Sequence, residues 1–323
     1  MKEFYAGMKS TSNKEITVFA PATVANVACG FDVLGFAIHG LGDEVTAAIS
    51  DKPGINIVKI EGDGGRLPLE TEKNTAGLAA KSLLDQYNKS DKPGIALSIR
   101  KNMPLGSGLG SSAASSAAAV VAVNELLGRP FRMSELLPFA VEGELAASGT
   151  AHADNVAAAL FGGFILVKTH LPPDVIKLPT PEDLHCTLIH PHIEIKTKNS
   201  RLILKKEVSL EKAVTQWANV GALVAGLYEA DYDLIGRSLH DEIIEPVRSV
   251  LIPGYDNMKS AALRAGALGC SISGSGPSVF ALSKSKKEAE LIGNKMGEVL
   301  ENIGLDFDIY ISSINTDGAK LIS

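Results

Sequence analysis

The chain has 323 residues, 45% hydrophobic and 21% charged, enough to bury an ordinary core and, by length, to form about two domains. Its 31 basic and 37 acidic side chains give a net charge of −6, and no Lys/Arg cluster offers the basic face that a nucleic-acid partner requires. Three widely spaced cysteines, Cys29, Cys186 and Cys270, form neither a metal-ligand spacing nor a disulfide framework and fit a reducing compartment.

The opening MKEFYAGMKSTSNKEITVFAP lacks the basic-then-apolar order of a secretory leader. The longest apolar stretch, 113–123, is too short and small-sided to span a bilayer, so a soluble, cytoplasmic chain without a membrane partner is expected. A first strand over 16–21 should stop at Pro21, before a turn-like segment and the apolar VLGFAI. Short strands follow at 43–50 and 55–60, and Thr75 to Tyr87 has helical spacing. Alternating Ile95, Leu97 and Ile99 predict a half-buried strand over 94–100, which runs into a glycine loop and a helix from Ser111 to Leu127 closed by Gly128. Ser134 begins another helix through Ala147, and 162–168 reads as a strand.

The proline-rich segment 171–183 reads as a domain boundary or a crossing connection, with domains at 1–175 and 176–323. Beyond it come strand LHCTLIH and helices near 210–230, 231–240 and 255–265. Strands CSIS and SVFAL, a helix from Lys286 to Ile303 and strand DFDIYISSI complete the order. Strand, helix, strand, strand, helix, strand is the ferredoxin-like pattern with extra helices inserted, and the whole favours an α+β class over a doubly wound sheet. Trp217 lies at helical spacing with Val214, Val220 and Val224 and reads as core, although the apolar faces near 213–227 leave a homodimer open. His190 and His192, split by a proline, read as strand-end residues rather than metal ligands.

The stretch Pro104, Leu105, Gly106, Ser107, Gly108, Leu109, Gly110, Ser111, Ser112, Ala113 places a glycine-serine loop between a strand and a helix start. Free N–H groups and the helix dipole make such a start an anion site. The glycines clear room for a phosphate, and the serines add hydroxyl donors or a metal ligand. G-S-G-L-G is not the G-x-G-x-x-G of dinucleotide folds, and an ending in G-S-S is not the G-K-[ST] of a Walker loop. Glycines that only permit tight packing are the other reading, and the loop holds no lysine.

The run PLGSGLGSSAA, Pro104 to Ala114, resembles the phosphate loop of the GHMP small-molecule kinases. PATVANVACGFDVLGFAI and SISGSGPSVFAL resemble two further motifs of that family, so the likeness extends from about Thr17 to Thr316. It implies a two-domain GHMP fold, with an N-terminal ribosomal-S5-domain-2-like α/β domain that binds nucleotide and a C-terminal ferredoxin-like domain. It also implies ATP as phosphoryl donor and Mg²⁺ as cofactor. The first motif, with EGELAASGTAHADN, most resembles the members that phosphorylate the side-chain hydroxyl of L-homoserine, feeding threonine synthesis. A mevalonate-type or sugar kinase is the alternative within the family.

On the same resemblance, the loop from Pro104 to Ala113 binds ATP, with Asn74 near the base; read alone, Asn74 is a helix N-cap. Glu144, with Ser112 as helper, falls at the family's metal position, whereas Glu142 and Glu144 read alone are solvated helix glutamates. Asn26, Asp32, His152, Asp154, Asn155, Thr197, Arg201, Arg248 and Gly274 match substrate-facing positions. An arginine fork suits the substrate's carboxylate, and Asp32, helped by Asn26, suits its ammonium. Asn155 falls where mevalonate-type relatives carry a catalytic aspartate; Asp154 could accept the hydroxyl proton, or a loose transition state needs no strong base. Read alone, HADN is a turn after a helix, the arginines are surface residues, and Ser273 to Gly276 is a hairpin turn.

Overall fold

Long alternating runs near the N-terminus pair into one large sheet. The computed structural model describes residues 15–88, 92–149, 151–195 and 197–323; the first fourteen, read above for a leader, lie outside them. Strands β1 (Glu15–Ala25) and β2 (Leu34–Ser50) pair antiparallel along their length. After β3 (Ile55–Glu61) the chain forms α1 (Thr75–Gln86) and returns as β4 (Gly94–Arg100), parallel to β3 and antiparallel to the second half of β2. Then come α2 (Ser111–Leu126), α3 (Met133–Ser148) and α4 (Ala153–Phe161). Strand β5 (Phe164–His170) pairs with the start of β2, and β6 (Pro173–Leu178) pairs with β5.

Strand β1 does not stop at Pro21: it passes through a bulge between Pro21 and Thr23 and continues to Ala25. A bulge is where a strand tolerates a residue without an N–H donor. Helix α2 is buried on nearly every side, between β1 and β2 on one face and α1, α3 and α4 on the other. Its alanines and serines make that possible, because small side chains let all five neighbours approach; a helix apolar all round is an interior helix.

The second sheet begins with β7 (His185–Pro191), so the chain crosses between sheets at 179–184. Helices α5 (Thr197–Leu202), α6 (Leu210–Glu229), α7 (Tyr232–Ser238), α8 (Glu245–Arg248) and α9 (Tyr255–Arg264) follow. Strands β8 (Gly269–Ile272) and β9 (Val279–Ser283), helix α10 (Lys286–Asn302) and strand β10 (Phe307–Ser313) complete an antiparallel sheet ordered β10-β7-β9-β8. This is the expected ferredoxin-like order, with α5 to α8 inserted after its first strand. A last strand, β11 (Lys320–Leu321), returns to β1 and ties the two halves together.

Trp217 is not core: it is 57% exposed, and Val214 is exposed beside it. Helix α6 packs inward through Leu223, Gly226 and Leu227 near its C-terminus. Its N-terminal half instead turns the Gln216 amide inward, donating to the Cys29 carbonyl and the Asp241 carboxylate. Helical spacing alone does not say which face a helix buries. No helix of the described residues is long and apolar enough to cross a membrane.

Candidate active site

One cleft runs between the two halves, floored by the glycine loop and walled by β4, α3, α4, α5 and the β8–β9 turn. Gly106, Gly108 and Gly110 all hold positive φ, a conformation that costs glycine little. A Cβ at Gly108 would lie 2.5 Å from the Ser273 carbonyl oxygen, and one at Gly110 would lie 2.0 Å from Thr23 Oγ1. The glycines therefore admit the protein itself from behind, as well as leaving the front of the loop bare. The β8–β9 turn clamps the loop: Ser273 Oγ donates to the Gly108 carbonyl at 2.8 Å, and Ser278 N donates to that of Ser107 at 3.2 Å. Gly110 N-caps α2 without a capping side chain, so no side-chain cap occupies the first-turn N–H groups.

The lysine missing from the loop stands just before it. Lys101, at the end of β4, is 6% exposed and lies beneath the first turn of α2. Its Nζ donates to the Ser111 carbonyl at 2.9 Å and to Ser115 Oγ at 2.7 Å, and it forms a buried ion pair with Asp43. Asp43 also accepts from Ser111 Oγ at 2.7 Å and from the backbone N–H groups of Asn102 and Met103. Glu144, 3% exposed on α3, hydrogen-bonds Ser112 and lies within the field of Lys101. Burial pushes its carboxyl above the usual carboxylate range, so its ionised form calls for positive charge at that point. Glu142 lies on another face of α3, where it accepts from Ser82 Oγ.

The far end of the cleft is built by the loop 26–32. Asn26, Ala28 and Asp32 all hold positive φ, which non-glycine residues adopt at a cost and which clusters at functional sites. The Asp32 N–H donates to Asn26 Oδ1 at 2.8 Å, and Asn26 Nδ2 donates to the Gly274 carbonyl at 2.7 Å. Arg201, from α5, grips Asp32 with two hydrogen bonds, at 2.7 and 3.0 Å. Arg248 is 2% exposed and donates to the carbonyls of Ser200 and Gly274. Burial, then the neighbouring Arg201 charge, lower its guanidinium to about 10. Both guanidiniums lie over the ring of Phe31, at 5.4 and 5.0 Å. Arg248 is buried and Arg201 half-buried, so neither projects freely into solvent. Thr197 joins this end through its hydroxyl, 3.2 Å from that of Ser275.

Helix α4 begins at the HADN segment. Asn155 lines the cleft and Asp154 does not: the Asp154 side chain is 1% exposed, with Oδ1 lacking a hydrogen bond among the described residues. Burial, then the Asp32 charge, push Asp154 up to about 7. Burial, then Arg201, hold His152 down at about 4. The two act on stability with opposite signs. Between about pH 4 and 6.5 the unfolded chain protonates His152 and the folded chain does not, so stability rises with pH. Between about 4 and 7 the folded chain keeps the Asp154 proton that the unfolded chain loses, so stability falls with pH. His152→Gln should therefore tilt the melting temperature downward across that window relative to wild type, and Asp154→Asn upward. Each tilt is limited to about 1.4 kcal/mol per pH unit. Thermal melts from pH 4 to 8 at fixed ionic strength check this, and three parallel curves would contradict it.

Of the residues expected at the site, Asn26, Asn74, the run Pro104 to Ala113, Glu144, His152, Asn155, Thr197, Arg201, Arg248 and Gly274 line this cleft, with Asp32 joined through Arg201. Asn74 does so as the N-cap of α1: Oδ1 accepts from Ala76 and Gly77, and Nδ2 donates to the Pro68 carbonyl. Thr23 and Phe31, within the first motif but not singled out in it, complete the site together with Asp43 and Lys101, which lie outside every motif. A lone buried cation just ahead of an anion loop was the one available hint. His190 is buried at a strand end with Nδ1 at 3.1 Å from Ser278 Oγ, and no metal-binding group of three His, Cys, Asp or Glu occurs among the described residues.

Residues 74–163 match the GHMP kinases N terminal domain and residues 223–302 the GHMP kinases C terminal domain. Both halves of the fold thus define a GHMP kinase. The chain is 51% identical over 320 residues to a homoserine kinase of Chlorobium phaeobacteroides, covering 96% of this chain and all of that one. It is 50% identical over 320 residues to one from Chloroherpeton thalassium, with the same coverage. The crystal structure of homoserine kinase from Cytophaga hutchinsonii superposes with a TM-score of 0.94 at 55% identity, over 97% of this chain and 98% of that one. The chain belongs to the homoserine kinases of the GHMP family.

Proposed function

We propose that this chain transfers the γ-phosphoryl group of ATP to the side-chain hydroxyl of L-homoserine, giving O-phospho-L-homoserine and ADP. The reaction feeds threonine synthesis. The observation that carries the substrate is the Asp32, Arg201 and Arg248 cluster at one end of a cleft whose other end is a phosphate loop. One carboxylate beside two guanidiniums complements an amino-acid zwitterion. Without ligand, Arg201 and Asp32 satisfy each other; a bound zwitterion offers a carboxylate to the guanidiniums and an ammonium to Asp32, so the internal pair is exchanged for two external ones. A mevalonate-type acid would draw Arg201 away while bringing no ammonium for Asp32, and a sugar brings neither charge with which to exchange the pair.

Phosphoryl transfer needs positioning and charge neutralisation more than covalent help. The first-turn N–H groups of α2, with Lys101 behind them, face the triphosphate. Glu144 and Ser112 are the residues that would hold Mg²⁺: a buried carboxylate and a hydroxyl suit an ion that keeps one or two protein oxygens beside phosphate oxygens and water. When bound, that ion neutralises charge on the transferring group. Asn155 orients the reacting groups, and no carboxylate base is required at the hydroxyl. The buried, cleft-averted side chain of Asp154 supports that reading.

Kinetics with homoserine, 4-hydroxybutyrate and 3-aminopropan-1-ol test the charge recognition. Each analogue lacks one charge and should lose on the order of a hundredfold or more in kcat/KM, since a buried partner is left unpaired. Arg201→Gln should raise the KM for homoserine at least about tenfold with the KM for ATP little changed. An analogue turned over as well as homoserine would overturn the assignment.

A further inference from the structure

From the contact of β1 with α4, we infer that Thr23 is a positioning residue for phosphoryl transfer, acting by fixing which end of the Asn155 amide faces the reacting groups. Thr23 is fully buried at the bulge of β1. Its N–H donates to the Leu109 carbonyl in the phosphate loop at 3.0 Å, and its Oγ1 donates to Asn155 Oδ1 at 2.8 Å. Gly110 completes the group, for a Cβ there would lie 2.0 Å from Thr23 Oγ1 and 2.8 Å from Asn155 Oδ1. The loop, the hydroxyl and the amide are thus stacked in direct contact, one each from β1, the N-cap of α2 and the first turn of α4.

A primary amide has a donor end and an acceptor end of nearly the same shape, so only its hydrogen bonds decide which way it faces. The Thr23 hydroxyl is fully buried and Oδ1 is its one acceptor among the described residues, so a flipped amide would strand that proton; Oδ1 is held against the protein and Nδ2, without a partner among the described residues, is left for the cleft. That polarity matters in an anion site. Nδ2 can donate to an oxygen of the transferring phosphoryl group or of the attacking hydroxyl, whereas a flipped amide would turn Oδ1 toward phosphate oxygens and repel them. Thr23 touches no substrate in this scheme. The inference rests on the phosphotransferase reading of the cleft but not on homoserine as the acceptor.

Thr23→Val keeps the shape and removes the hydroxyl. It should lower kcat roughly tenfold to a hundredfold, a fraction of the loss seen when a transition-state donor is deleted outright. The KM for ATP and for the acceptor should stay within about threefold, and Thr23→Ser should restore most of the rate. In an Asn155→Ala background Thr23→Val should cost little more, because the two residues act as one unit. Should the valine variant not fold, Thr23→Ala is compared with Thr23→Ser in the same way. ADP release is followed on the acceptor that the wild type turns over fastest. A wild type that ignores homoserine therefore counts against the substrate, while the Thr23 comparison is still read. Wild-type kcat in Thr23→Val, equal losses in the valine and serine variants, a loss confined to KM or melting temperature, or multiplying losses with Asn155→Ala would each overturn the inference.

Discussion

Glu144→Gln is expected to lower kcat at saturating ATP by about a thousandfold while the protein stays folded. The amide has nearly the shape of the carboxylate, so α3 and its contact with Ser112 can persist. What disappears is the one carboxylate that, among the described residues, lines the cleft beside the glycine loop. Burial disfavours the ionised form of Glu144, so exchanging its carboxyl for an amide of the same shape removes no burial-favoured charge from the fold. Loss of rate with an unchanged or raised melting temperature is therefore the signature of a cation-holding role, and about three orders of magnitude is the scale of losing electrostatic stabilisation of a charged transition state. Steady-state kinetics over a wide range of Mg²⁺ concentration, with a thermal melt, check the prediction. Near-normal turnover at every concentration would show that Glu144 holds no catalytic cation.

Lys101→Met carries the second large effect, on stability as well as activity. The Lys101–Asp43 pair is buried on both sides, at 3% and 0% side-chain exposure. Removing one member of such a pair leaves an uncompensated buried charge, typically at a cost of about 3–5 kcal/mol. Asp43 also anchors the turn at Asn102 and Met103 and the hydroxyl of Ser111, so the start of α2 should loosen with it. The double variant Lys101→Met, Asp43→Asn separates the two roles. With both charges gone it should regain most of the stability, since a buried ion pair replaced as a unit is often nearly neutral. It should still bind ATP more weakly, by roughly tenfold or more, because the positive charge beneath the phosphate loop is gone. Denaturant melts and the KM for ATP measure the two effects. A double variant with wild-type ATP affinity would confine Lys101 to a structural role.

The parts of this molecule that were legible in its sequence are the local ones. Strand β4, the glycine loop and α2 follow one another without a gap, so alternation, glycine spacing and an alanine-rich run mark them directly. The ferredoxin-like half was equally readable, because its strands and helices alternate at short range. Contacts made across the fold were not. Pro21 looks like a strand end until the bulge is seen, and Thr23 gains meaning only when α4 brings Asn155 against it, 132 residues later. Arg201 and Arg248 look like surface residues because nothing local shows that α5 and α8 fold over Phe31. Trp217 has the spacing of a core residue, yet Gln216 takes the inward position to hold the Cys29 carbonyl. The proline-rich stretch, which reads as a domain boundary or a crossing connection, also contains β6, an edge strand beginning at Pro173, where a missing donor costs no ladder bond. Asp154 and Asn155 are adjacent in sequence and polar alike, and only the direction in which α4 enters separates the buried one from the one at the cleft.

If one cleft joins a phosphate loop to an amino-acid site, the products of the reaction must show it. Purified protein is incubated with Mg-ATP and, separately, homoserine, mevalonate and galactose, and phosphorus NMR is read together with ADP release. A new phosphate monoester with homoserine, formed in step with ADP, and none with the other two is the predicted result. A monoester with mevalonate or galactose and none with homoserine would contradict the account.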